Sequence, residues 1–415
     1  YGLVLTLAMA FVVSACAGGA TSGGTEAAVP AGVPGGEMLQ QGERPRQDED
    51  TRAAERALEE AEGSEDEATA VGFYEQALAS ARAAIAADSM NPLPELQAAR
   101  ASLGLGLFPE AGAHFDRAEE LRPLYELETE GMRERAWLGL YQDATPFVNA
   151  GDYEEAAAIF ENANAIYDKR PEVMITLGQI YAQLREHDKA LENFDRADAI
   201  IADAETAAVD EETRAQWIEA ASDIPLTRAS VLSDAGRFEE AADAFRVLVA
   251  ENPSDVTLAR SLAAVLVQTG QTEEAFQVYE DLMGRPGLSG PEFYNIGVGF
   301  YQGSDYTRAA QAFESAANAS PMDRDAIEMW ARSHQIDSAY AAAIPPAERW
   351  AELDPNNQNA LLILAQSVNQ EGDGERASDL IGQIEALEAN VLDLQLTRMQ
   401  GGAQVGGTLT NKLLD

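Results

Sequence analysis

The sequence predicts an all-α solenoid built from a repeated pair of helices. The phrase GDYEEAAAIF at residues 151–160 returns as GRFEEAADAF at 236–245 and as GQTEEAFQVY at 270–279. The composition, rich in Ala, Glu and Arg, favours helices. The alanine of EEA and its equivalents, which we call the anchors, are 34 residues apart over four successive steps, at Ala241, Ala275, Ala309, Ala343 and Ala377.

The same anchor occurs earlier in the chain. Ala77 and Ala111 are 34 residues apart, as are Ala156 and Ala190, and the two irregular steps of 45 and 51 residues contain insertions of 11 and 17 residues. The best copy runs Met174, Leu177, Gly178, Tyr181, Ala190, Phe194, Ala197. This pattern and its period resemble the tetratricopeptide repeat. The resemblance covers residues 51–388 as about nine units, and it implies a right-handed superhelix of helix-turn-helix repeats with a concave groove.

Small and aromatic residues explain how such a unit packs. Gly178 and Gly297 on the first helix, with the anchor alanine on the second, allow two backbones to approach closely. The aromatic residue four positions after the anchor fills the remaining space. Glycines such as Gly236 lie between the two helices, where a short turn needs their backbone freedom. Pro345 and Pro346 fall inside a predicted second helix, so we expect that helix to start late or to kink.

Two segments depart from the repeat. The 17-residue insertion around AETAAVDEETRAQWIEAAS (204–222) predicts a lengthened helix or an extra one. Residues 391–411 alternate between apolar and polar, with Gly401-Gly402 between two runs, which predicts a β-hairpin. The hairpin resembles the opening strands of small immunoglobulin-like modules of exported bacterial proteins. Either it packs on the last helices as a cap, or the sequence is truncated there. We expect truncation and assign residues 389–415 to the start of such a module.

The first fifty residues predict an export signal and a tether. Residues 2–15 carry no charge, and this run is too short to cross a membrane comfortably. Cys16 is the only cysteine, and VSAC resembles the lipobox of bacterial lipoproteins. The resemblance implies a signal peptide at 1–15 and a lipid anchor on Cys16, in the outer membrane and facing the periplasm. An uncleaved transmembrane anchor is the alternative.

The segment after the cysteine predicts a flexible linker over residues 16–50, because its many Gly, Ser, Thr and Pro residues do not pack. The chain begins with Tyr and lacks the basic start of a signal peptide. We therefore expect the sequence to begin inside its reading frame.

The charge and the motifs of the chain favour binding over catalysis. The formal net charge is −43, so we expect repulsion of phosphate backbones and no nucleic-acid binding. The three histidines, His114, His187 and His334, fall in different units, and none has a second His or Cys at metal-ligand spacing. The sequence contains no phosphate-binding glycine loop. We predict no enzymatic activity, no cofactor and no metal site.

The groove of the predicted superhelix provides the candidate binding site. Tyr294, Val298 and Tyr301 are spaced i, i+4, i+7 on the first helix of one unit and form a stripe. Arg260 in the preceding unit and Arg332 in the following unit take equivalent groove-facing places. Tyr and Arg are the residue types that dominate binding hot spots. The alternative is that these five residues form an ordinary amphipathic surface.

Together these observations predict a membrane-tethered interaction scaffold of the bacterial cell envelope. Its concave groove would bind extended peptide segments of other envelope proteins, and its lipid anchor would bind the membrane. The alternative function is an accessory or regulatory module of an envelope enzyme such as a cell-wall hydrolase. The partner, the pathway and the oligomeric state do not follow from the sequence.

Overall fold

The computed structural model describes residues 41–203, 209–387, 389–399 and 402–411, the last two ranges as backbone. The predicted signal peptide, Cys16 and residues 17–40 of the predicted linker lie outside the described residues. Residues 41–48 lie against the second repeat unit. The Glu43 N–H donates to the Leu121 carbonyl (2.7 Å), and the Asn91 amide accepts from the Arg46 N–H (3.0 Å) and donates to its carbonyl (2.8 Å).

Nineteen α-helices fill the described part of the chain, and eighteen of them form nine consecutive pairs. Short turns join the two helices of a pair, which are therefore antiparallel. The nine units are α1 (Glu49–Glu62) with α2 (Glu67–Ala87), α3 (Pro92–Gly104) with α4 (Phe108–Leu121), α5 (Glu126–Ala150) with α6 (Tyr153–Ile166), α7 (Pro171–Gln183) with α8 (His187–Asp203), α10 (Ile224–Asp234) with α11 (Phe238–Glu251), α12 (Val256–Gln268) with α13 (Thr272–Met283), α14 (Gly290–Gln302) with α15 (Tyr306–Ala319), α16 (Arg324–Ile336) with α17 (Tyr340–Leu353), and α18 (Gln358–Gln370) with α19 (Gly374–Ala386). The remaining helix, α9 (Glu211–Ala220), lies between the fourth and fifth units. The predicted all-α fold class is confirmed.

The anchor alanines lie at the centre of the packing. All nine are buried on the second helix of their unit, and the most exposed, Ala377, is 7% exposed. Four residues after two of these anchors, Phe194 and Phe313 are fully buried. A Cβ atom on Gly178 or on Gly297 would overlap the ring of Phe194 or Phe313, respectively. Glycine is required at these two positions because the ring occupies the volume that a side chain would need.

The turn within a unit repeats one backbone conformation. The residue five positions before the anchor has a positive φ in eight of the nine units. Five of these residues are glycines, as expected for a conformation that costs other residues about 1–2 kcal/mol. The other three are Arg185 (φ 60°), Ser304 (φ 66°) and Ser338 (φ 60°). Packing of the two flanking helices therefore imposes this turn even where the sequence does not favour it.

The start of the first helix also repeats with the 34-residue period. Asp255, Ser289, Asp323 and Asn357 are the N-caps of α12, α14, α16 and α18. The Asp323 carboxylate accepts the Ala326 N–H at 3.1 Å, for example. Such a cap satisfies a backbone N–H that has no partner inside the helix, so each first helix begins at a defined residue.

The two insertions take different forms. The 11-residue insertion lengthens a first helix, because α5 has 25 residues where α7 has 13. The 17-residue insertion produces the extra helix α9, which is 10 residues long and contacts α7 and α8. An extra helix was one of the two forms expected for this segment.

The proline pair does not delay the helix that contains it. α17 begins at Tyr340, as many residues before its anchor as α11, α13 and α15 do, so the expected late start is wrong. The helix continues through Pro345 and Pro346 to its end. Its anchor, Ala347 and Trp350 are buried against neighbouring helices. This packing outweighs the low helix propensity of proline.

The C-terminal segment forms the predicted hairpin. Strands β1 (Ala389–Met399) and β2 (Gly402–Asn411) pair antiparallel, with Met399 opposite Gly402 at the turn. The register shifts between Leu392 and Gln395, and β1 contacts α18. The hairpin accounts for the alternating sequence pattern, and its assignment to a larger β module stays a prediction.

Candidate groove site on the first helices

The five residues of the predicted groove site lie on the first helices of three consecutive units. Arg260 is on α12, Tyr294, Val298 and Tyr301 are on α14, and Arg332 is on α16. α12 and α14 contact each other. All five side chains are half-buried, so each packs on one side and meets solvent on the other. We call these five residues the groove site.

The tyrosines of the groove site are held by rings behind them. The Tyr294 ring packs edge-on against Phe313, with 5.3 Å between ring centres, and the Tyr301 ring packs edge-on against Tyr306 at 5.1 Å. Tyr294, Val298 and Tyr301 also pack against the buried core of the array. Edge-on ring pairs of this kind add to the stability that burial provides. The stripe is therefore a supported aromatic surface on α14.

Of the two arginines in the groove site, Arg260 has the positive charge that is less compensated by carboxylates. Among the described residues it has no carboxylate within ion-pair distance. Hydrogen bonds from Ser289 lower the pKa of Glu292 on α14, and the charge of Arg260 lowers it further. Burial raises the pKa of Tyr279 to about 12, against the opposing effect of Arg260. The charge of Arg260 thus acts on groups of both α13 and α14.

Arg332 differs from Arg260 because it is already paired. Its Nε donates to Glu328 one turn earlier on α16, at 2.6 Å. Its guanidinium also lies 5.9 Å from the centre of the Trp350 ring. A carboxylate of a partner would have to compete with Glu328 for Arg332, whereas at Arg260 it would have to displace no ion pair that the described residues form.

Two of the three histidines have a described local environment. His114 Nδ1 lies 2.6 Å from the buried carboxylate of Glu95. Burial lowers the pKa of His334, which is half-buried on α16. In residues 41–203 and 209–387, no group of three or more His, Cys, Asp or Glu side chains could hold a metal ion.

A second cluster of aromatic and charged side chains was not anticipated from the sequence. Glu172, in the first turn of α7, accepts the indole N–H of Trp217 on α9 at 3.1 Å and a guanidinium N–H of Arg170 at 2.7 Å. Arg170 also pairs with Glu134 at 3.0 Å and lies 4.8 Å from the centre of the Trp137 ring. The one sequence feature that could have indicated this cluster is the tryptophan inside the 17-residue insertion. The repeat pattern gives no position for an inserted residue, so the contact could not be derived.

Comparison with known families agrees with the fold. Residues 147–209 and residues 226–286 each match a family model described as a tetratricopeptide repeat. No match to a curated protein was found. These two ranges of the chain therefore match tetratricopeptide repeats, and the nine helix pairs of the described residues form an α-solenoid. Proteins with such repeats mediate protein–protein interactions, generally as non-catalytic scaffolds.

Several solved structures resemble the chain. The C-terminal part of a TPR repeat-containing protein from Cytophaga hutchinsonii is 17% identical, and the match covers 60% of this chain and 95% of that one with a TM-score of 0.46. A tetratricopeptide repeat protein from Parabacteroides merdae is 18% identical over 68% of this chain and 99% of that one, with a TM-score of 0.29. YrrB, described as a TPR protein with an unusual peptide-binding site, is 16% identical over 42% and 91%, with a TM-score of 0.34.

None of the described helices has both the length and the apolar character that a membrane crossing requires.

Proposed function

We propose that this protein is a membrane-tethered interaction scaffold of the bacterial cell envelope, and that its groove site binds an extended segment of a partner protein. The observation that carries this proposal is the supported stripe of Tyr294, Val298 and Tyr301 on α14. The neighbouring helix α12 carries Arg260, which forms no ion pair among the described residues. Aromatic rings that are fixed from behind lose little conformational freedom on binding, which favours them as anchors.

The charge of the chain limits the chemistry of the partner segment. The protein carries a formal net charge of −43, so a strongly acidic segment would be repelled by most of its surface. Arg260 offers one local cation to a single carboxylate or to backbone carbonyls. We therefore expect a segment with apolar or aromatic side chains, which pack on the tyrosines, and one acceptor that meets Arg260.

The groove site can be tested with a pair of variants that remove the same ring contact. Tyr301→Ala and Tyr306→Ala each break the Tyr301–Tyr306 pair, but Tyr306 begins the second helix α15 and is not part of the groove site. In a crosslinking pulldown from native membranes, Tyr301→Ala combined with Tyr294→Ala should lose the partner, and Tyr306→Ala should keep it. Thermal melts check that the variants stay folded. Full partner retention by the folded double variant would refute the site.

The tether is a separate part of the proposal and rests on the lipobox resemblance at Cys16, outside the described residues. Stable anchoring needs two or more acyl chains, as a processed lipoprotein cysteine provides. The parent protein should partition into detergent and begin at Cys16. Cys16→Ala should stop its processing or release it from the membrane. If Cys16→Ala is cleaved and stays membrane-bound like the parent, the lipid anchor is excluded.

A further inference from the structure

The inserted helix α9 has one buried side chain. Of its ten residues, Trp217 alone is buried, at 6% exposed, while its neighbour Ile218 is 53% exposed. A helix of ten residues does not sustain itself in water, so its tertiary contacts must hold it. Those contacts reach α7 and α8, and besides the buried Trp217 they include Ala220, which packs partly buried against the core. A short helix with a single buried side chain belongs to the part of a protein that opens locally at low cost.

The place that receives Trp217 has a defined chemistry. The Glu172 side chain is 10% exposed, and its carboxylate needs several donors because it is largely removed from water. Arg170 provides two N–H donors, at 2.7 Å and 3.4 Å, and the Trp217 indole N–H provides another in a buried hydrogen bond of 3.1 Å. We call Arg170 and Glu172 the Glu172 site.

Tryptophan fits the chemistry of this site. It combines a large apolar body with an N–H that donates and cannot accept, so it presents no lone pair to the carboxylate. Phenylalanine would remove one of the donors to Glu172, and a lysine or arginine would bring a second cation beside Arg170. The site therefore selects a helix that carries one tryptophan.

We propose that the Glu172 site is a second binding site of this protein, which takes a tryptophan-bearing helical segment of a partner, and that α9 is its exchangeable internal ligand. The chain itself shows that such a segment fits. Because α9 is covalently attached, its local concentration is high and it masks the site from weaker competitors. A partner segment binds by displacing Trp217. This proposal does not depend on the groove site, which lies on α12, α14 and α16.

The test uses a labelled synthetic peptide with the sequence of residues 209–222, VDEETRAQWIEAAS, and fluorescence anisotropy. The full chain with Trp217→Ala has lost the internal ligand and should bind the peptide at least tenfold more tightly than the parent chain. Ile218→Ala, which changes an exposed residue of the same helix, should behave like the parent. A peptide in which the tryptophan is replaced by alanine should not bind the Trp217→Ala chain. Equal binding to all three chains, or no binding to a folded Trp217→Ala chain, would overturn the proposal.

Hydrogen exchange on the parent chain provides a test that needs no variant. The amides of α9 should exchange at least tenfold faster than those of α7, because α9 opens without the rest of the array. Equal protection of the two helices would make α9 a fixed part of the fold and would overturn the proposal.

Sedimentation tests the other occupant of the site, α9 of a second copy. A parent dimer that Trp217→Ala dissociates would show exchange between copies and would contradict the assignment to a partner.

Discussion

The first helices α7 and α14 have the same length and the same inner face, but their outer faces differ. Each has 13 residues and a glycine, Gly178 or Gly297, whose place is fixed by a buried phenylalanine on the second helix. On the outer side, Ile175 of α7 is buried, while Tyr294 at the equivalent position of α14 is half-exposed. The first turn of α7 also receives Trp217 from α9.

This difference shows that the repeat determines one face of a first helix and leaves the other to its surroundings. The inner face must meet the second helix of its own unit, whose anchor lies 12 residues after the glycine in both units. The outer face meets whatever the chain places there, and at α7 this is the inserted helix α9. The array is therefore divided into a part whose first helix is covered and a part that offers the groove site.

The largest loss of stability is expected on the inner faces, where α7 and α14 are alike. Gly178→Ala and Gly297→Ala should each lower the free energy of unfolding by about 2–3 kcal/mol, because the new methyl group overlaps a fully buried ring. Gly139→Ala is the matched control, since it lies on the surface of α5 with no atom near its added Cβ and should gain up to about 1 kcal/mol. Urea melts give these values. Clearly unequal losses at Gly178 and Gly297 would mean that the two inner faces are not equivalent.

A smaller loss of stability is expected for an arginine beside the covered helix α7, and almost none for an arginine beside α14. Arg170→Ala should cost about 2 kcal/mol, because it leaves the largely buried Glu172 without its cation and removes the contact with Trp137. Arg260→Ala, beside α14, should change the stability by less than about 0.5 kcal/mol, because Arg260 has no ion pair among the described residues. Urea melts of both variants at the same salt concentration measure the difference. Similar losses would contradict the contrast between a covered and an open first helix.

The smallest change in stability is expected at the turn between the two helices of a unit, and it should be the same in the fourth and seventh units. Arg185→Gly in the fourth unit and Ser304→Gly in the seventh should each gain about 1 kcal/mol, because both residues are exposed and have a left-handed backbone that favours glycine. Gly236→Ala, at the equivalent turn of the fifth unit, should lose about as much. Thermal melts are sufficient for this comparison. A loss of stability at Arg185 or Ser304 would mean that the side chain holds the turn through contacts of its own.

The parts of the fold that could be predicted from the sequence are those that repeat. The anchors, the Gly178–Phe194 contact and the hairpin follow from spacing and alternation, since each depends on residues at fixed short separations. The proline pair shows where local reasoning fails. Pro345 and Pro346 disfavour a helix by propensity, yet the burial of Ala347 and Trp350 keeps α17 in its ordinary place.

The candidate groove site was predictable in position and less so in its electrostatics. The i, i+4, i+7 spacing of Tyr294, Val298 and Tyr301 placed them on one helix. Their support by Phe313 and Tyr306 comes from the second helix of the same unit. Arg332 is paired with Glu328, whereas Arg260 has no ion pair among the residues that the structure describes. This difference depends on side-chain conformations, which spacing alone does not determine.

By itself the sequence determined the solenoid, because every unit buries its apolar face against the next copy of the same pattern, and this requires only a constant period. Tertiary structure alone decided which part of the array is covered. The hydrogen bond between Glu172 and Trp217 joins residues 45 positions apart, across an insertion that belongs to no repeat. Contacts of that kind depend on where a non-repeating helix finds a buried acceptor, and no periodic rule encodes that place.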